Sequence, residues 1–446
     1  MKPIENTPIG KEILKITSND TGGVNYVKHK FILHTVNNDI PIQLTESFEI
    51  LRDYNSNTSD YIIATFLMPA GDYIKDIYPF RDNLNLTVIK TIAKKKYRYT
   101  YKFVMINNNM NISGTRYTQS TREELNKLEQ VRLVGQCVDR VTEALRMKYV
   151  SGIYHNTNLE TVIKTSMLTA IRTSKSVEGD IDIHLSLSEI ENKRTYDHIK
   201  IDTGVSVLDL PTFLQRKEYG LYNGDIGTYV QLHEDVNRNE DRYPSKKHLY
   251  VYPLYSNNLF DKSQKKLIIY GVSSAKFDFV ENTYRLDGDV LSIISGASTS
   301  SIDDGGNQLL DDGVGFTSTV ADKIMERNNI VSDDGVLVDK DFINSGSIDK
   351  ARVDSSNMAR HIGAQSNLFK YRSMVVRKTM MVYQIQWNHC DPDLIFPGMA
   401  VMFVYMDNVD GLVKLKGTVQ SLYIMYNEGS NTVTSLLNIA VEKPHY

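Results

Sequence analysis

Apolar and polar positions are most regularly patterned between Tyr383 and His445. Apolar stretches at Tyr383–Trp387, Val401–Met406, Lys416–Tyr426 and Thr432–Val441 are separated by Pro397-Gly398, by Asn408-Val409-Asp410-Gly411 and by Asn427-Glu428-Gly429-Ser430-Asn431. Proline presets φ and glycine accepts positive φ, so these clusters predict tight reversals between strands. Val401, Phe403 and Tyr405 alternate with Met402, Val404 and Met406, which makes both faces of that strand apolar. Two apolar faces predict a wall covered on each side, and an antiparallel set this short must close or pack to be stable. The expected unit is a small β barrel.

Residues 11–106 are punctuated in the same way. Ile13–Ile16, Tyr26–Leu33, Ile40–Leu44, Phe48–Leu51 and Tyr61–Met68 are short apolar segments, and Leu84–Thr91 with Tyr97–Ile106 forms a hairpin around Lys94-Lys95-Lys96. Strands spaced about 8–12 residues apart predict a second barrel or a sandwich. At Ser120 the period changes. Ser120-x-x-Glu123 reads as a capping box, and Leu125, Leu128, Val131, Val134, Val138, Val141 and Leu145 follow at helical spacing, predicting an amphipathic helix. A second helix is expected over Leu159–Ile171, an alternating strand over Ile181–Leu187, and a short helix from near Pro211 to a cap at Gly220. Tyr229–Leu232, Leu249–Leu254 and Lys266–Val272 complete an α/β middle region. Residues 286–369, with Asp303-Asp304-Gly305, Asp311-Asp312-Gly313 and Asp333-Asp334-Gly335, have little periodicity and predict an extended insertion that orders on a partner. A helix-compatible segment, Asn357–Lys370, leads out of it.

Three stretches carry a family resemblance. Leu394-x-x-Pro397-Gly398-Met399-x-Val401, Leu415-x-Gly417-Thr418-Val419-x-Ser421-Leu422-x-Ile424 and Asn431-Thr432-Val433-Thr434-x-Leu436 resemble the last barrel of contractile-tail baseplate hub proteins. That family includes phage tail hubs of the late-control type and the hub part of VgrG spike proteins. Tyr61–Met68 with Pro69-Ala70-Gly71-Asp72 and Asp82-Asn83-Leu84 resembles its first barrel. Leu208-x-Leu210-Pro211-x-Phe213-Leu214 with Tyr219-Gly220-Leu221-Tyr222 resembles its middle domain.

Composition narrows the alternatives. The 446 residues suffice for several domains, and 41% hydrophobic with 24% charged residues is ordinary for a globular protein. A net charge of −3 gives no electrostatic reason to expect nucleic acid or an anionic membrane. Two cysteines, Cys137 and Cys390, form no disulfide framework, and a reducing compartment is expected. The start of the chain has no apolar core of a secretory signal, and no run reaches the roughly 18–20 apolar residues of a membrane span. His389-Cys390-Asp391 places its soft ligands side by side, so that they point to opposite faces of a strand, and a structural role is expected. The Asp-Asp-Gly repeats lack the ligand spacing of a calcium loop. No phosphate loop, Gly-x-Ser-x-Gly elbow or His-Glu-x-x-His is present.

The expectation is therefore a mainly β chain with an α+β middle domain: a tube-like barrel at 1–115, an α/β domain at 116–270, an acidic insertion at 271–370 and a second tube-like barrel at 371–446. The resemblance implies a baseplate hub of a phage contractile tail, a homotrimer whose six barrels adapt a three-fold spike to a six-fold tube. Its implied partners are a tail spike protein, a tail tube or tube-initiator protein and baseplate wedge proteins. The implied site of action is the virion, after synthesis in the host cytoplasm. No enzymatic activity, cofactor, metal, nucleic-acid specificity or membrane contact is expected. Val401, Phe403, Tyr405, Gly417, Val419 and Tyr423 are the candidate ring and tube contacts. Another tail component, such as a tube initiator or wedge, and a tail-associated cell-wall hydrolase are the alternatives.

Overall fold

Alternation of apolar residues along short strands builds two β units, one in each half of the chain, that share a single sheet. The computed structural model describes residues 8–18, 27–92, 95–106, 130–174, 182–216, 219–234, 245–256, 258–272, 283–295, 298–301, 316–321, 328–331, 337–339, 352–354, 380–407, 411–427 and 432–442.

After helix α1 (Pro8–Thr17), the first unit contains β1 (Val27–His34), β2 (Asp39–Ile42), β3 (Leu44–Asp53), β4 (Tyr61–Pro69), β5 (Leu84–Ile92), β6 (Lys95–Met105) and β7 (Gln130–Val138). A helical segment from Ala70 to Phe80 joins β4 to β5. The strands pair in the order β2-β1-β5-β6-β7-β4-β3, with antiparallel ladders throughout. β2 and β3 stand at the two ends of this path and are separated only by Gln43. Among the described residues no ladder closes the ring, and the chain itself passes from one end to the other. Leu33, Phe66, Leu86, Phe103 and Leu133 fill the interior.

The helix expected from Ser120 to Leu145 is corrected over residues 130–138, while its last part is helical, within Arg140–Arg146. Residues 130–138 form β7, and its predicted beginning lies outside the described residues. Val131, Leu133 and Cys137 are buried with a period of two, and the strand is laddered to β4 over 130–137 and to β6 over 135–138. Helical spacing and strand alternation coincide at several of these positions, and tertiary pairing decides between them. Cys137 accordingly lies on a strand.

The middle region follows as α2 (Arg140–Arg146), β8 (Tyr149–Asn158), α3 (Leu159–Ser174), β9 (Asp182–Leu187), β10 (Thr195–Ser206), α4 (Leu210–Arg216), β11 (Ile226–Glu234) and β12 (Ser245–Pro253). β8 and β10 form an antiparallel ribbon, while β12 pairs with β11 antiparallel and with β9 parallel. Val162, Ile163 and Met167 of α3 pack with Leu214 and Leu249 in a core separate from that of the β units. Both helices expected here, near 159–171 and from Pro211, are present.

The second β unit draws on more of the chain than the sequence suggests. After α5 (Leu259–Lys262) come β13 (Lys266–Gly271), β14 (Tyr284–Asp287), β15 (Val290–Ser295) and β16 (Ser298–Ser301). A small separate sheet contains β17 (Phe316–Ala321), β18 (Asn328–Val331), β19 (Leu337–Asp339) and β20 (Arg352–Asp354), in the order β19-β18-β17-β20. Then come β21 (Met380–Asn388), β22 (Ala400–Asp407), β23 (Gly411–Asn427) and β24 (Thr432–Glu442). β13 pairs with β22 and β15, and β16 pairs with β21. Strands assigned by sequence to the middle domain and to the insertion therefore belong to the C-terminal sheet. The apolar pairs Leu267/Ile269 and Leu291/Ile293 fill its interior, which the strands after residue 371 leave open on one side. The Asp-Asp-Gly repeats and the segment Asn357–Lys370 lie outside the described residues.

The doubly apolar strand β22 behaves as expected. Val401 and Phe403 face the interior, and Met402 and Val404 lie under Ile9, Ile13 and Ile16 of α1.

Candidate functional site

The two β units repeat one strand order. In the first, the path runs from the bent pair β2/β3 through β1, β5, β6, β7 and β4 back to β3. In the second, it runs from β15/β16 through β13, β22, β23, β24 and β21 back to β16. Each unit has a meander of three strands, β5-β6-β7 and β22-β23-β24, whose last strand pairs with the strand preceding the meander. A short helical segment sits at the same place in both, at Ala70–Phe80 and at Pro392–Leu394. Val401, Gly417 and Val441 form one cross-strand row, as Leu84, Phe103 and Cys137 do in the first unit. The units differ at β13, which runs parallel to both neighbours, whereas β1 runs antiparallel to both of its own. The additional strand β14 lies between β13 and β15 in sequence and accompanies that reversal.

A ladder joins the repeats. Glu49–Asp53 of β3 pairs antiparallel with Met425–Ser421 of β23, so the two units stand side by side. Tyr423 Oη donates to Glu49 Oε2 at 2.6 Å across this seam, and that bond to a carboxylate pushes the tyrosine pKa up to about 12.

Beneath the seam is a buried ionic junction. Arg52 Nη2 donates to Asp393 Oδ1 at 2.6 Å, Arg52 Nη1 donates to the Pro392 carbonyl at 3.0 Å, and Arg52 Nε lies 3.3 Å from Asp60. Lys90 Nζ contacts Asp393 directly and lies 3.5 Å from Asp391. The middle region enters through Tyr229 Oη, which donates to Asp60 Oδ1 at 2.9 Å, and through Gln231, which accepts from Tyr54 Oη at 3.1 Å and donates to the Ile395 carbonyl at 2.8 Å. Tyr252 Oη donates to the Tyr54 carbonyl at 2.7 Å. Three parts of the chain thus meet in one hydrogen-bonded cluster.

Its electrostatics are strongly biased. Burial alone would raise the Asp393 pKa, but the charges of Lys90 and Arg52 overcome this and hold the carboxyl well below its usual range. Burial wins at Asp391 and Asp60, whose pKa values are raised although Lys90 and Arg52 oppose the shift. A second buried pair, Lys247 Nζ to Asp139 Oδ1 at 2.6 Å, ties β12 to the end of β7. A cleft of about 30 Å³ lined by Asp60, Tyr99, Tyr101, Asp139 and Lys247 lies between the two ion pairs, with room for about one water molecule.

The candidate contacts read from the sequence divide. Val401, Phe403, Gly417 and Val419, candidate ring and tube contacts, are buried within the chain. Gly417 is required by close approach: a Cβ there would lie 1.8 Å from the Ala440 carbonyl oxygen. Tyr405 and Tyr423 are half-buried, and Tyr423 bridges the repeats. Cys390 is buried, with its thiol on the Val433 carbonyl, while Asp391 joins the junction. Among the described residues no cluster of three or more His, Cys, Asp or Glu side chains has metal-binding geometry.

Sequence reasoning missed Arg52, Asp60, Lys90 and Asp393. One signal was present: Lys90 continues the inward alternation of Leu84, Leu86 and Val88, which places a charge on an apolar face.

Residues 75–268 match the family model described as Bacteriophage PBS1 gene 109 protein. No curated protein sequence matches the chain. Among solved structures, the 43 kDa tail protein of prophage MuSo2 from Shewanella oneidensis is similar, at 9% identity and a TM-score of 0.48, covering 92% of this chain and 96% of that one. A tail protein from Neisseria meningitidis MC58 is similar at 10% identity and a TM-score of 0.46, covering 93% and 96%. An Escherichia coli component of the type VI secretion system, described as structurally similar to the T4 bacteriophage tail proteins gp27 and gp5, is similar at 8% identity and a TM-score of 0.40, covering 93% and 77%.

Proposed function

We propose that this protein is a structural hub of a contractile phage tail, acting as a homotrimer in which each chain supplies two of six similar β units. The observation that carries this reading is the repeat of one strand order in both units together with the β3–β23 ladder that sets them side by side. Two units per chain make three chains equivalent to a pseudo-six-fold ring. Such a ring can match a three-fold spike on one side and a six-fold tube on the other. Its partners are then the spike, the tube or tube initiator and the baseplate wedges, and its place is the virion tail.

The role is mechanical. Arg52, Lys90, Asp60, Asp391 and Asp393 serve to weld the repeats and the middle region into one body, with no chemistry of their own. The test is mass by light scattering and class averages in negative stain, with a candidate spike protein present and absent. A particle of three chain masses with six lobes supports the hub. Assembly in multiples of six chains would instead indicate a tube initiator or wedge component.

A further inference from the structure

The outward face of the β8/β10 ribbon carries two facing histidines that the ionic junction does not use. His155 and His198 are direct cross-strand partners, 43 positions apart in sequence, and both are exposed. Their rings stand nearly perpendicular, and Nδ1 of one lies 2.9 Å from Nδ1 of the other. The opposite face anchors the ribbon: Tyr154, Ile199 and Ile201 pack in the core of the middle region, and Tyr154 Oη lies 3.3 Å from Ser166 Oγ of α3. The ladder continues on both sides of the pair, at Tyr154–Ile199 and at Thr157–Tyr196, so backbone pairing sets the separation of the two imidazoles. Among the described residues β8 and β10 pair only with each other.

We propose that His155 and His198 form a two-histidine site for a divalent late transition metal, copper(II) or nickel(II) ahead of zinc, with water in the other coordination positions. Two nitrogens bound at about 2.05 Å to one ion, with a right angle between the bonds, stand about 2.9 Å apart, which is the separation found here. A tetrahedral angle would need about 3.4 Å. Right-angled nitrogen ligands suit the tetragonal and octahedral preferences of copper(II) and nickel(II). Both rings are exposed and can turn about χ2 to aim their lone pairs at one ion. Each binds as neutral imidazole through Nδ1, with its proton on Nε2. Lys200, two residues from His198, opposes a cation, and Asp202, 3.9 Å from its Nζ, offsets part of that charge. The other neighbouring pair, His184 and His248, is arranged differently: the ring centroids are 5.4 Å apart and His248 Nδ1 lies 2.8 Å from Ser186 Oγ. An ion at the first pair clips β8 to β10 across the ribbon. This site does not depend on the hub reading.

The test uses the untagged full-length protein with His155→Ala and His198→Ala. Calorimetric titration with copper(II) should show one site per chain in the parent, weakened about tenfold or more in either variant, since losing a partner that merely orients a ligand already costs that much. Paramagnetic resonance at one equivalent of copper(II) should show coupling to two imidazole nitrogens in the parent and lose that pattern in both variants. Equal affinity and an unchanged spectrum in the variants would place the ion on other residues and overturn the proposal, as would a parent that binds no copper(II). Unfolding gives a second readout, because both substitutions lie on an exposed face. In the presence of a chelator all three proteins should share one midpoint, and nickel(II) should raise that of the parent alone, because binding to the folded state stabilises it. A rise of the same size in the variants also overturns the assignment.

Discussion

Arg52 and Asp393 meet at 2.6 Å across 341 positions of sequence, both nearly without solvent contact. Arg52 lies on β3 of the first unit and Asp393 in the helical turn that precedes β22 of the second. The pair therefore fixes the units to one another at the same strand that carries the β3–β23 ladder. Such a junction holds only as a complete set, because an isolated buried charge loses its hydration with nothing in return.

Asp393→Ala should lower stability by about 3–5 kcal/mol, since it leaves Arg52 and Lys90 facing each other without the shared carboxylate. Asp393→Asn keeps the shape and part of the hydrogen bonding, so a smaller loss is expected. Urea unfolding monitored by the single tryptophan, Trp387, reads both variants in the second unit. An Asp393→Ala midpoint equal to that of the parent protein would mean that the junction contributes nothing to cohesion.

Acid should act through His29. Its ring sits against Phe31, Phe48 and Tyr426, and burial, with the Lys90 charge adding to it, lowers its pKa from 6.5 to about 3. The unfolded chain takes up this proton below pH 6.5, whereas the folded chain does so only near pH 3. The folded value is depressed, so the stabilisation is full above pH 6.5 and is lost as the pH falls toward 3. The loss reaches at most about 1.4 kcal/mol per pH unit. Asp393 is depressed too, but it adds its loss only below the usual carboxylate range; Asp60 and Asp391 are raised and have the opposite sign. Comparing the parent with His29→Phe cancels these common contributions. The difference in unfolding free energy should shrink steadily between pH 6.5 and 3, and a constant difference would refute the assignment.

Much of the mainly β character was legible because alternation and turn chemistry are local: β4, β5 and β22 fall where their apolar runs predict. The unit boundaries were not legible. β13 and β15 look like buried strands of any domain, and only pairing with β22 assigns them to the second unit. Residues 130–138 satisfied two periods at once, and the choice lay with β4 and β6, which are remote in sequence. Of the six proposed contacts, Gly417, Val419 and Tyr423 lie on β23, and Val401, Phe403 and Tyr405 were chosen on a strand with two apolar faces, where Val401 and Phe403 face the interior. Sequence could not say that its outer face would be covered by α1 of the same chain. The ionic junction was the least visible part, since Arg52, Asp60, Lys90 and Asp393 converge only after the repeats dock.

Gly417 and Tyr423 should behave differently although both lie on β23. Gly417→Ala drives a Cβ into the Ala440 carbonyl and should cost about 1–3 kcal/mol or more through ladder distortion. Tyr423→Phe removes one hydrogen bond to Glu49 at a half-buried site and should cost about 0.5–1.5 kcal/mol. Thermal unfolding of both variants checks the order, which reverses if Tyr423 rather than close backbone packing holds this strand.

Asp139 serves two elements at once. Its carboxylate caps α2, accepting from the amides of Val141 at 3.4 Å and Thr142 at 3.3 Å, and it also accepts from Lys247 Nζ at 2.6 Å. Burial would raise its pKa, yet Lys247 brings it below the usual value, so the ionised form is the one the fold selects. Lys247→Met should therefore cost about 3–5 kcal/mol, because a carboxylate stays buried with only the cap to hold it. Asp139→Asn should be damaging as well, since it removes the charge that Lys247 Nζ meets at 2.6 Å. Combining them removes both charges, and the double variant should be more stable than the sum of the single losses predicts by about 1–3 kcal/mol. Simple additivity in urea unfolding would mean that the first unit and β12 are held together by packing alone. A positive coupling would identify this pair as a second weld, independent of the junction at Arg52, between the middle region and the β units it supports.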